Sequence, residues 1–130
     1  MKYGILTKIF RFEAAHQLPG HKGKCANLHG HSYRLEITVR GPIKEALGES
    51  DTGMVMDFGD LSHIVRSLII EQLDHQNLNE VTGIHTTAEN IVHWIWERLV
   101  TGLDESLLYR IRLWETESSF VEITKAERPE

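Results

Sequence analysis

Apolar and polar residues alternate along the first part of the chain, and the alternation carries three histidines with it. Across residues 5 to 16, Ile5, Thr7 and Ile9 share one face and Phe10, Phe12, Ala14 and His16 the other, which predicts a strand with partly apolar faces. Pro19, Gly20 and Gly23 break the pattern and make a loop that carries Cys25. A second strand is predicted over 29 to 40, with His29, His31, Tyr33, Leu35, Ile37 and Val39 on one face and Gly41-Pro42 closing it. The polar stretch 43–53 is a connection, and Met54-Val55-Met56 a short strand.

The period then changes from two to 3.6. Asp57 caps a helix predicted over 58–73, with Phe58, Leu61, Ile64, Val65, Leu68 and Gln72 inward and Asp60, His63, Arg66 and Glu71 outward. Asp74-His75 ends it, and Asn77, Asn79 and Gly83 mark a loop. A second helix is expected over 87–101, opened by a capping box between Thr86 and Glu89 and stopped by Gly102. Its apolar face is Ile91, Val92, Ile95, Trp96 and Leu99. Residues 108–117 return to period two, with Tyr109, Ile111, Leu113 and Glu115 on one face and Arg110, Arg112 and Trp114 on the other. Ser118-Ser119 turns into a last strand, 120–124, before a polar tail. The order predicts an α+β fold, ββααββ: an antiparallel four-stranded sheet with two helices packed on one face. The uncovered face and edges of such a sheet call for a homo-oligomer.

Composition narrows the function. The 130 residues fit one domain, 1–130, with a proper core. A net charge of −5 argues against a nucleic-acid surface. The opening segment carries Lys2, Lys8 and Arg11 and no long apolar run, so neither signal peptide nor membrane span is expected, and the cytoplasm is the default location. One cysteine permits no internal disulfide.

The candidate chemistry gathers in two strands and the loop between them. Any one of His16, His29 and His31 alone is an ordinary strand histidine. Pairing the two strands antiparallel brings all three to one end of the sheet, where three neutral imidazoles make a Zn²⁺ site with a vacant position. Cys25, four residues before His29, is either a fourth ligand that closes the site or a free thiol beside it. Asp74-His75 supplies a carboxylate and an imidazole for proton transfer. Glu115 ends an apolar row and suits a flat heterocycle with an amino group beside a ring N–H. Lys22 and Lys24, with His21, form a small basic loop that an anionic small molecule could use.

Six segments together resemble a known family: Phe12-Glu13-Ala14-Ala15-His16, Cys25-x-x-x-His29-Gly30-His31, Met56-Asp57-Phe58, Leu73-Asp74-His75-x-x-Leu78-Asn79, Thr87-Ala88-Glu89-Asn90 and Trp114-Glu115-Thr116. They are similar, in the family's order, to the 6-pyruvoyl- and 6-carboxy-tetrahydropterin synthases. The resemblance implies a tunnelling fold, in which subunits join their sheets into a barrel, as a homohexamer of two trimers with sites at subunit interfaces. It implies that His16, His29 and His31 bind zinc, that Cys25 is the catalytic thiol with Asp74 and His75 as its relay, and that Glu115 anchors the pterin. Thr87 and Glu89 fall at pterin-pocket positions, which gives Glu89 a role beyond capping. The three-residue gap between Cys25 and His29 resembles the bacterial 6-carboxy-tetrahydropterin synthases of queuosine biosynthesis, although Thr86 stands where many of those have proline.

The expected activity is conversion of dihydroneopterin triphosphate to 6-carboxy-tetrahydropterin, with loss of triphosphate and acetaldehyde and with Lys22 and Lys24 holding the triphosphate. The alternatives are a pyruvoyl-forming synthase, or a non-catalytic zinc or pterin module in which Cys25 closes the metal site. Hydrolysis by zinc hydroxide ranks last, since it leaves Cys25 and Glu115 without a task.

Overall fold

The computed structural model describes residues 1–125; the predicted polar tail lies, from residue 126, outside them. Strands β1 (Tyr3–His16) and β2 (His29–Pro42) pair antiparallel along their whole length, from Tyr3 opposite Pro42 to His16 opposite His29. β4 (Leu108–Thr116) lies on the far side of β2, and β5 (Ser119–Thr124) follows it through a tight hairpin. These are the four predicted antiparallel strands.

A fifth was not predicted. Gln76–Asn77 forms a two-residue β3, parallel to β1 at Ala14 and Ala15, so the sheet order is β3-β1-β2-β4-β5. Two residues carry no periodicity, and this strand exists only through its tertiary partner. Met54–Met56 differs the other way. In place of a strand it closes a turn on Lys44, whose N–H donates to the Met54 carbonyl at 3.0 Å.

The helices cover one face of the sheet. Phe10, Phe12, Leu35, Ile37, Ile111 and Leu113 from the strands meet Leu61, Val65, Ile69, Ile91, Ile95 and Trp96 in one buried cluster. Each such aliphatic side chain contributes about 1.5–3 kcal/mol. Leu108 takes the inner position expected of Tyr109, because a bulge shifts the register between Thr38 and Val39 and leaves Tyr109 as the extra residue.

The first helix begins as predicted, with Asp57 accepting from the N–H groups of Gly59 (2.6 Å) and Asp60 (3.3 Å). α1 (Phe58–Val65) then runs into a π-helical stretch, Arg66–Ile70, and a last turn, α2 (Glu71–Leu73). The wider π turn moves the buried positions to Leu61, Val65, Ile69 and Leu73, a spacing of four, so Gln72 is exposed where a 3.6 period put it inward. Phe58, also expected inward, is 54% exposed. Arg98, from α4 (Ala88–Leu99), donates its Nε–H to the Leu68 carbonyl at 3.0 Å and so steadies the stretch from outside. The short α3 (Leu78–Thr82) lies between. Thr87, not Thr86, caps α4, accepting from the Asn90 N–H at 3.2 Å.

Candidate active site

Register alone assembles the histidines. His16 and His29 are direct partners in the β1–β2 ladder, and His31 follows two residues on, on the same face. The ring centroids stand 4.6, 5.1 and 4.8 Å apart, and one ligating nitrogen from each lies within 4.8 Å of the others.

Backbone carbonyls fix which nitrogen faces the centre. His16 Nδ1–H donates to the Thr86 carbonyl at 2.9 Å, and His29 Nδ1–H to the Asn27 carbonyl at 2.7 Å. With the proton on Nδ1, the lone pair is on Nε2. The Nε2 atoms of His16, His29 and His31 are all buried and have no hydrogen-bond partner among the described residues. Burial, the largest influence, holds His16 and His31 below the ordinary histidine pKa despite the opposing pull of the Glu115 carboxylate, which keeps the rings neutral. Three buried, unpartnered imidazole nitrogens turned to one point fit a zinc ion and leave room for a further ligand.

Residues that pattern reading did not select support this arrangement. The Thr86 hydroxyl stands 3.2 Å from His16 Nδ1 and donates to Asn79 Oδ1. Asn79 in turn clamps the end of β1 with two bonds of 2.9 Å, from the Gln17 N–H to its Oδ1 and from its Nδ2 to the Gln17 carbonyl. Thr86 carried no signal beyond its place before a helix, whereas Asn79 lies inside one of the six family segments. Asn79→Ala is expected to weaken zinc binding about 10–100-fold, as loss of an outer-shell partner does, measured by competition with a chromogenic chelator. Tyr33 was read only as part of the apolar stripe. Its buried hydroxyl has no hydrogen-bond partner among the described residues, and burial followed by the charge of Glu115 pushes its pKa up.

Glu115 reaches the cluster from β4, its two oxygens 3.9 Å from His16 Nε2 and 3.8 Å from His31 Nε2. It also lines a cavity of ≈ 320 Å³ with Thr87, Glu89, His21 and Phe120, so the three positions expected to hold a heterocycle share one wall. Cys25 is half-buried in a 3-10 turn, Lys24–Ala26, whose place is set by Leu18 N–H donating to the Cys25 carbonyl at 2.8 Å. Its sulfur is not among the atoms that converge with the three imidazoles. Lys22 and Lys24 are exposed on the same loop.

The Asp74-His75 pair is built separately. Glu13 N–H donates to Asp74 Oδ1 at 2.9 Å, the main reason that this carboxyl lies below its usual range, and His75 N–H donates to the Glu13 carbonyl at 2.6 Å. His75 adopts a left-handed φ of 61° and brings Nδ1 to 3.0 Å from Asp74 Oδ1. A cleft of ≈ 500 Å³ has His75 and His31 in its walls, and within one chain no hydrogen bond joins the pair to Cys25 among the described residues.

Residues 5–126 match the family model for 6-pyruvoyl tetrahydropterin synthase. The chain is 40% identical to a 6-carboxy-5,6,7,8-tetrahydropterin synthase of Haemophilus influenzae, over 90% of this chain and 96% of that one. It is 47% identical to the Synechocystis protein of the same name, over 73% and 74%. Its fold superposes on the structure of Caenorhabditis elegans 6-pyruvoyl tetrahydropterin synthase with a TM-score of 0.82 at 27% identity, covering 95% and 96% of the two chains.

Proposed function

The chain belongs to the 6-pyruvoyl tetrahydropterin synthase family, and from that premise we propose that it is a zinc-dependent 6-carboxy-5,6,7,8-tetrahydropterin synthase. The proposed reaction converts 7,8-dihydroneopterin triphosphate to 6-carboxytetrahydropterin with release of triphosphate and acetaldehyde, a carbon–carbon lyase step that feeds queuosine synthesis in the cytoplasm. The convergence of three unpartnered imidazole nitrogens beside a cavity walled by Glu115, Thr87 and Glu89 carries this reading.

In the proposed site His16, His29 and His31 hold zinc, which when bound supplies Lewis acidity toward substrate oxygens. Glu115 accepts two N–H bonds from the pterin edge and sets the ring's orientation. Thr87 and Glu89 line the same pocket and restrict how the ring enters. Cys25 moves a proton at the substrate side chain, with Asp74 and His75 as its relay, and Lys22 and Lys24 neutralise the triphosphate. The dyad and the thiol being unconnected within one chain supports a site completed between copies. So do the open edge of β5 and the stretch of β1 before Ala14, which no strand covers among the described residues. On this reading the protein assembles as a homohexamer, a dimer of trimers.

The structural likeness to a 6-pyruvoyl synthase favours one second reading, elimination of triphosphate without carbon–carbon cleavage. Incubating zinc-loaded protein with 7,8-dihydroneopterin triphosphate and trapping the volatile product separates the two. Acetaldehyde in step with 6-carboxytetrahydropterin is the expected result; 6-pyruvoyl-tetrahydropterin without acetaldehyde would hand the case to the second reading.

A further inference from the structure

The sheet face turned away from the helices carries charge that the proposed reaction does not use. Arg11 and Arg34 are direct cross-strand partners in the β1–β2 ladder, an arrangement of like charges that destabilises a sheet unless something sits between them. Arg11 has no hydrogen bond or ion pair among the described residues, and Arg34 faces Glu36 only through Nε, at 3.3 Å. Neither terminal amine of Arg34 donates to the protein among those residues. Both side chains line a cavity of ≈ 270 Å³ whose other walls are Ser32, Trp114, Thr116 and Glu117.

The acceptors around this cavity, exposed Glu117 apart, are already committed. Glu36, buried on this face, takes the Trp114 indole N–H at 2.6 Å and stands 3.9 Å from Arg112. Glu13 takes the Ser32 hydroxyl at 2.6 Å, and the Thr116 hydroxyl takes the Ser118 N–H at 3.3 Å. The other unspent groups are guanidinium donors. Trp114 offers no face for a stacked base, because Arg34 covers it at 5.5 Å and Phe120 packs against it at 4.5 Å.

We propose that the Arg11–Arg34 cavity binds a phosphate-class oxyanion, on the opposite face of the sheet from the histidine cluster. Two guanidinium forks match tetrahedral oxyanions in a way that ammonium groups do not. Exposed Glu117 in the β4–β5 turn is the one carboxylate in the cavity wall, and it opposes binding.

The test is calorimetry on the zinc-loaded, assembled protein, with inorganic triphosphate as one probe and a ribonucleoside triphosphate as the other. Inorganic triphosphate is expected to bind, and Arg11→Gln or Arg34→Gln to weaken it about tenfold or more, the size of one charge-assisted bond. Arg11→Lys should not restore it, and Glu117→Gln should tighten it. Binding of both probes identifies the terminal phosphates of a larger ligand as the occupant; binding of the inorganic anion alone identifies a free oxyanion. Arg11 is exposed and has no hydrogen bond or ion pair among the described residues, so its replacement is expected not to lower the melting temperature. Unaltered affinity in Arg11→Gln, or affinity lost on Lys22→Gln and Lys24→Gln instead, overturns the assignment. Since the cavity shares no residue with the one lined by Glu115, Thr87 and Glu89, these outcomes are independent of which pterin the protein makes.

Discussion

Replacing Cys25 with alanine is expected to lower turnover about 10²–10⁴-fold, the usual worth of a positioned acid–base group, while zinc content stays at the wild-type level. The sulfur lies in its own short turn, outside the set of nitrogens that converge on the metal position, so removing it leaves the ligands untouched. Metal analysis alongside steady-state kinetics separates the possibilities. Zinc lost together with the thiol would mean that Cys25 closes the coordination sphere and that the module is not an enzyme of the proposed kind.

His29→Ala should have the reverse signature. It removes an imidazole, a zinc ligand on the proposed function, whose Nε2 is already oriented by the Asn27 carbonyl, and the expected result is loss of zinc affinity by more than about 100-fold, beyond what an outer-shell change produces, with turnover falling in parallel. Chelator competition and metal analysis after dialysis measure it. Acid should act through the two neighbouring ligands. His16 and His31 have folded pKa values below the ordinary 6.5, so between that value and their own the unfolded chain binds more protons than the folded one. The contribution of these two rings to the stability of the metal-free protein is therefore level above pH 6.5 and declines as pH falls below it, and on the proposed function zinc is displaced as they charge.

The meeting of the three imidazoles could be read from the chain because strand alternation is rigid: once β1 pairs with β2 in register, His16, His29 and His31 have no other place to be. Glu115, Thr87 and Glu89 meet in one cavity, a grouping that the family resemblance implied and that periodicity alone did not. What escaped depends on partners far away in sequence. The π stretch of the first long helix is held by Arg98, thirty residues on, so a fixed 3.6 period could not show that Ile69 and Leu73 are fully buried while Leu68 packs only partly against the core and Gln72 is exposed. The cap at α4 moved by one residue because Thr86 is drawn to His16, a contact across seventy positions. The two-residue β3 and the bulge at Tyr109 are likewise tertiary events.

β1 carries more than its share of the chemistry. His16 projects from its end, and Glu13, three residues earlier, grips Asp74 and His75 through both of its backbone polar groups. A single-residue slip of this strand would turn His16 to the wrong side of the sheet and detach the dyad in the same motion. On the proposed function, metal capture and proton delivery are thus tied to one mechanical coordinate, so that a damaged molecule would fail whole and would not persist as a half-competent catalyst releasing stray intermediates.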